Sequence, residues 1–261
     1  LVGIFAISYQ LTAQTIIYVD VDATGSDNGT SWSHAYNDLQ DALTYASSNS
    51  PAQIWVAEGT YTPGSSSSDS YTMLPDVEIY GGFVGTETSL TQRDFRSNTT
   101  ILSGNLGAQQ AEHIINNTYS IGIRLNNSAV LDGFHIRDGL SSSNYGAAIY
   151  NEYASPIIRN CNFYNNTAYY GGAVYNYYSS STYLNCRFYD NTASSAGGAV
   201  YNIGDSNTSH IVTYTNCAFY RNSVRIPSGN NNGYGMALFS GSGVICKIYN
   251  SNFYDNDCIS C

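Results

Sequence analysis

Asn160-Cys161-Asn162-Phe163-Tyr164-Asn165-Asn166 comes back three times along the chain. It returns as Asn185-Cys186-Arg187-Phe188-Tyr189-Asp190-Asn191, as Asn216-Cys217-Ala218-Phe219-Tyr220-Arg221-Asn222, and as Asn250-Ser251-Asn252-Phe253-Tyr254-Asp255-Asn256. The phenylalanines stand 25, then 31, then 34 residues apart. A second phrase alternates with the first. Gly172 to Asn176 and Gly198 to Asn202 read Gly-Ala-Val-Tyr-Asn, and Gly146 to Asn151 is a variant. A period in this range, with insertions of variable length, marks a solenoid whose units bury their apolar faces only by stacking on one another.

Each phrase is short, β-prone and bounded by Gly, Asn or Ser, as strands are. So little chain separates the phrases that crossover helices cannot join them. The chain must wind, each turn laying its strands parallel to those of the turn before, about 4.8 Å apart. That geometry is an all-β parallel β-helix, in which residues of equal register form rows along the axis. Side-chain alternation assigns the faces. With Phe163, Phe188, Phe219 and Phe253 inward, Cys161, Cys186 and Cys217 are inward too, and Tyr164, Tyr189, Tyr220 and Tyr254 point out. With Ile149, Val174 and Val200 inward, Tyr150, Tyr175 and Tyr201 form a second outward row. The asparagines at phrase ends (Asn151, Asn176, Asn202; Asn166, Asn191, Asn222) are expected in turns, where Asn tolerates left-handed geometry.

Upstream the coils continue in a less regular form. Val130 to Ile136 aligns with Ile158 to Phe163, which puts Phe134 in the Cys161 register, while Thr100 to Gly104 and Val77 to Gly82 read as earlier strands. Leu39, Ala42, Leu43 and Ala46 fall at i, i+3, i+4 and i+7, so the spacing predicts one helix from Asn37 to Ala46. Its apolar face would cover the N-terminal end of the β-helix, where core and strand edges are otherwise open.

Charged residues make up 11% of the 261 residues, with a formal net charge of −10 and a single lysine, Lys247. That balance argues against nucleic acid as a partner. No apolar stretch reaches the length of a membrane-spanning helix. Residues 1–14 read as the tail of a secretory signal peptide, Leu1 to Ile7 being apolar and Leu11-Thr12-Ala13 resembling a cleavage site; a first apolar strand is the alternative. Cys261 follows directly on a repeat phrase, so residues 15–261 are expected to be a single β-helix domain cut short at its C-terminus. The six cysteines suit disulfides in an exported protein. Three of them share one register, however, and a row of buried thiols accounts for those without any bond. Cys258-Ile259-Ser260-Cys261 has redox or metal spacing but stands alone.

These segments resemble secreted bacterial right-handed parallel β-helix proteins of the pectin-lyase-like superfamily. The resemblance is carried by Tyr18-Val19-Asp20 through Trp32, Asp38 to Leu43, Ile54 to Tyr61, Tyr80 to Phe83 with Glu87-Thr88 and Gln92-Arg93-Asp94, and Val130 to Phe134. The Gly-Gly-Ala-Val and Phe-x-x-Asn phrases are similar to repeats of chlamydial polymorphic outer-membrane proteins. The resemblance implies export and display at the outer surface of a bacterium, often through a C-terminal anchor domain, and leaves the activity open.

The superfamily includes polysaccharide lyases and hydrolases, so the carboxylates bear inspection. A glycoside hydrolase needs clustered carboxylates. Asp190 and Asp255 share a register, yet Asn165 and Arg221 occupy it elsewhere, which describes a solvated turn. Asp132, Asp138, Glu152 and Asp205 lie in different registers. Asp20-x-Asp22-x-Thr24-Gly25-x-Asp27 spaces oxygen ligands as calcium loops do, but Ser31 stands where an EF-hand has its closing Glu, so an Asx-rich turn is expected. His34, His113, His135 and His210 share no spacing. Sequons such as Asn28-Gly29-Thr30 and Asn207-Thr208-Ser209 follow from the composition. No catalytic residue, metal ligand or cofactor is assigned. The two tyrosine rows are the candidate binding residues, as aromatic surfaces for sugar rings or as mutual cross-strand support. The expected function is an adhesin, stalk or scaffold for surface glycans or another surface protein; a carbohydrate-active enzyme on the same scaffold is the alternative.

Overall fold

The computed structural model describes residues 14–120, 125–205, 209–226 and 234–260. The apolar segment before Gln14, Cys261 and most of the Asn207 sequon fall outside them. Within the described residues the strands form one eight-stranded, one seven-stranded and two five-stranded sheets. One turn of the chain places Ile157–Arg159, Asn162–Tyr164, Thr167–Tyr170 and Val174–Tyr177 in the four sheets in succession. The next turn begins at Thr182–Leu184, which lies parallel to Ile157–Arg159 and pairs with it. The chain is therefore a parallel β-helix, and the repeat phrases stack in register: Phe163 on Phe188, Phe188 on Phe219, Phe219 on Phe253. Phe134 sits one coil from Cys161, as the alignment of Val130 to Ile136 requires.

Single left-handed residues bend each coil. Asn160, Asn185, Asn216 and Asn250 turn the chain with φ of 55°, 54°, 54° and 44°, and Asn165, Asp190, Arg221 and Asp255 do so with φ of 55°, 54°, 51° and 53°. Asn and Asp suit this conformation because a short polar side chain can bond the local backbone. The expectation placed the turn one residue too late. Asn166, Asn191 and Asn222 are buried and join a row in which each side-chain amide donates to the next carbonyl oxygen at 3.0 Å, and Asn222 donates to Asn256 at 2.9 Å.

A larger correction concerns Asn151, Asn176 and Asn202. They are not turn residues but lie inside strands, fully buried. The alternation that turns Ile149, Val174 and Val200 inward also turns the residue two further on inward. Their amides form a chain through the core: Asn117 donates to Asn151 at 2.9 Å, Asn151 to Asn176 at 2.9 Å, and Asn176 to Asn202 at 2.7 Å. The hydroxyls of Tyr183 and Tyr214 donate to Asn176 and Asn202 at 3.0 and 3.1 Å. A buried amide is tolerated because each neighbour satisfies it.

Beside that chain the core is aromatic and thiol. Phe163, Phe188 and Phe219 stack at 4.8 and 4.7 Å between centroids and are fully buried, whereas Phe253, in the last described coil, is 44% exposed. Cys161, Cys186 and Cys217 are buried and unbridged. The helix is Leu39–Ala46, two residues shorter than expected, because Asp38 caps it by accepting from Gln40 N. Leu39, Ala42, Leu43 and Ala46 are buried against the strands Thr15–Val19 and Ala52–Ala57 at the N-terminal end. Outside that end Trp55, Tyr80 and Phe83 form a second apolar cluster with Tyr18, Trp32 and Leu90.

Candidate functional site

The outward face of the seven-stranded sheet carries two rows. His135, Asn162, Arg187, Ala218 and Asn252 share one register, and Arg137, Tyr164, Tyr189, Tyr220 and Tyr254 share the other, two residues further along each strand. The left-handed asparagines flank the first row. Asn250 donates to Asn216 at 2.6 Å, Asn216 to Asn185 at 3.2 Å, and Asn185 to Asn160 at 3.1 Å. Asn160 donates to the Asp132 carboxylate at 2.8 Å. Asp132 is itself buried and paired with Arg93 at 2.8 Å and Arg159 at 2.6 Å. Every amide in the row thus faces the same way, anchored on one anion. Each amide bonds its neighbour with one N–H, which leaves its second N–H outside the row.

Over the first row lies a groove of about 570 Å³. Asn160, Asn185 and Asn216 form one side of it, and His135, Asn162 and Arg187 form its floor. Phe95 and Arg96 reach it from a segment far upstream in sequence. That segment is clamped by Arg93, which donates to the carbonyls of Gly81 at 2.9 Å and Asp132 at 3.2 Å. His135 and Asn162 meet at 2.9 Å between Nε2 and Nδ2. Burial pushes the His135 imidazole below its usual range, and Arg137 and Arg187 push it the same way.

The tyrosine row differs from a sugar-stacking platform in one respect. Tyr164, Tyr189, Tyr220 and Tyr254 lie parallel within 7°, 4° and 3°, with centroids 4.9, 5.0 and 5.0 Å apart. Their faces cover one another, so the row offers edges and hydroxyls outward. Burial and the flanking phenols push Tyr189 up to about 12. Arg221 lies 4.9 Å above Tyr220 and makes a two-pronged pair with Asp190 at 2.8 and 2.7 Å. The second row is partly covered. Tyr175 points out of the pleat yet is buried, because Tyr145 stacks on it at 4.5 Å and Tyr150 and Tyr201 flank it at 5.6 and 5.3 Å.

The remaining candidates do not converge. Asp138 pairs with Arg137, and Glu152 accepts from the Tyr150 hydroxyl at 3.2 Å. His113 lies beside Tyr150, and His210 beside Tyr178. In the Asp20–Asp27 loop the Asn37 side chain donates to the carbonyls of Asp20 and Ala23 at 2.9 and 2.8 Å, so those oxygens face an amide. Asp27 accepts from Asn37 N at 2.8 Å. The groove residues were not singled out from the sequence. The signal was present in the leading phrase: the alternation that turns Tyr164 outward also turns Asn162, Arg187 and Ala218 outward.

Residues 101–261 match the family described as right handed beta helix region, and the chain belongs to that family. The coil is accordingly right-handed. Among solved structures, the chain is similar to the pectin methylesterase from Aspergillus niger in deglycosylated form, at 17% identity. The match covers 94% of this chain and 88% of that one, with a TM-score of 0.38. No curated protein matches the chain.

Proposed function

We propose that this protein is a non-catalytic scaffold, displayed outside a bacterial cell, that holds a surface glycan along the seven-stranded face. One observation carries this: a groove lined by fixed amide and guanidinium donors runs beside a row of tyrosine hydroxyls. Such donors match the hydroxyl and ring oxygens of a sugar chain, and their fixed orientation lowers the cost of ordering on binding. The lining includes no carboxylate. A two-carboxylate hydrolysis therefore has neither its acid nor its base there. A repeated set of weak contacts along the axis suits affinity built by addition.

The test is retention on a glycan array by the wild-type protein and by a Tyr164→Phe/Tyr189→Phe/Tyr220→Phe variant. That variant keeps the ring stack and removes only the hydroxyls, so the circular dichroism should not change while retention falls by about tenfold or more. Absence of binding by the wild type would overturn the proposal. Release of unsaturated or shortened sugars would replace it with the enzyme.

A further inference from the structure

We infer that the groove receives the end of a glycan chain, not its middle, with an anionic terminal sugar seated at Phe95 and Arg96. The assignment rests on the glycan-binding function proposed above. The left-handed row that becomes Asn160, Asn185 and Asn216 begins upstream as two glycines, Gly82 and Gly133, with φ of 94° and 88°. Phe95 lies directly on them: a Cβ on Gly82 would meet its Cα at 2.4 Å, and one on Gly133 would meet its Cβ at 3.0 Å. Glycine is required there because the backbone of another segment occupies the place of a side chain. Asp94 N bonds Gly82 O at 2.9 Å and Arg93 holds the same turns from the other side, so the wall is fixed in position. The groove thus has a stop at its N-terminal end. From His135 to Ala218 it runs for roughly 14 Å at the coil spacing.

The charge is placed to match. The chain is strongly acidic, with a net charge of −10, yet the charged residues of the lining are Arg96, at the stop, and Arg187, part way along. Among the described residues the ion pairs engage Arg93, Arg137, Arg159 and Arg221. Arg96 and Arg187 stand in none of them and are exposed. Two guanidiniums outside any of these ion pairs, Arg96 lying 6.0 Å over the Phe95 ring, face one concave surface and select a carboxylate or sulfate, which they can hold through paired N–H donors. Beyond Arg187 the floor becomes Ala218, so the rest of the ligand is read by neutral amides. A uniformly charged polymer would leave most of its charges facing amides, whereas a chain charged at its tip would not.

The test uses the wild-type protein and immobilised oligosaccharides. Sialyllactose is compared with lactose, and a terminally sulfated lactose with both, so that the two anion sources are separated. Sialyllactose extended by one neutral sugar beyond its acidic residue tests the stop. Binding to either acidic form should exceed binding to lactose by about tenfold or more, and capping should abolish that advantage. Arg96→Gln should remove the preference for charge. Phe95→Ala should restore binding of the capped ligand, a gain that misfolding cannot mimic. Equal binding of capped and uncapped forms, or of lactose and its acidic forms, would overturn the inference and leave the glycan-binding function standing. Failure to bind any glycan, on this panel or on the array, would overturn both.

Discussion

Asparagine does two different jobs in this chain, and the burial of each residue tells them apart. Asn185 sits exposed at φ 54°, where its side chain bonds along the surface row. Replacing it by Ala forces a Cβ into the left-handed region and should cost about 1–2 kcal/mol, while Gly should be nearly neutral. Asn176 lies in the core, where it accepts from Asn151 and Tyr183 and donates to Asn202. Asn176→Ala strands buried partners on both sides and should cost about 3 kcal/mol or more. Urea denaturation of Asn176→Ala and Asn185→Gly measures the contrast, and similar losses would mean that the interior amide chain contributes nothing. Asn176 closes a repeat phrase, so its position alone read as a turn, whereas Asn185, which opens one, is the residue that turns the chain. The difference lies in the pleat: Asn176 is two residues from inward Val174, whereas Asn185 precedes the strand that begins at Arg187.

At the scale of the strand, the row is the unit that stabilises. Phe188 is fully buried between Phe163 and Phe219, and Phe188→Ala opens a cavity between coils that should cost about 3–5 kcal/mol. Tyr189 makes equivalent stacks on the outer face but keeps one edge in water. Its loss should cost about 1–2 kcal/mol, mainly the two ring pairs. Equal destabilisation would reverse the inward and outward assignment. The thiols belong to the same argument. Burial pushes Cys161 up to about 12, so the folded protein should resist alkylation at Cys161 while the unreduced, unfolded chain accepts it fully. A mass two units short, or incomplete labelling without reductant, would reveal a bridge. These rows were legible because period and alternation are local properties of sequence. The groove was not, since Phe95 and Arg96 meet Asn160 only after the chain has wound through further coils.

Over the whole molecule, stacking gathers many phenols and few charges, and the pH dependence of stability follows from that imbalance. Tyr183 and Tyr214 are fully buried and their hydroxyls are held well above the usual value of 10.0; burial likewise raises Tyr80 and Tyr189 to about 12. In the unfolded chain these phenols lose their protons near 10.0, while the folded chain retains them. Above that pH the unfolded state binds fewer protons, so stability falls as pH rises. At the acid side the sign is opposite in origin. Burial depresses His113 and His135 below 6.5, so below that pH the unfolded state binds more protons, and stability falls as pH falls. The expected profile of Tm against pH is a plateau from about 6.5 to 10 with a decline on each side, steeper on the alkaline side because more groups contribute there. Tyrosinate absorbance separates this from surface titration. The buried phenols should ionise in one step together with the loss of circular dichroism above pH 10. If all the tyrosines ionise smoothly near 10 while the β signal persists, the interior row of Tyr183 and Tyr214 is open to water and the stacked core described here is wrong.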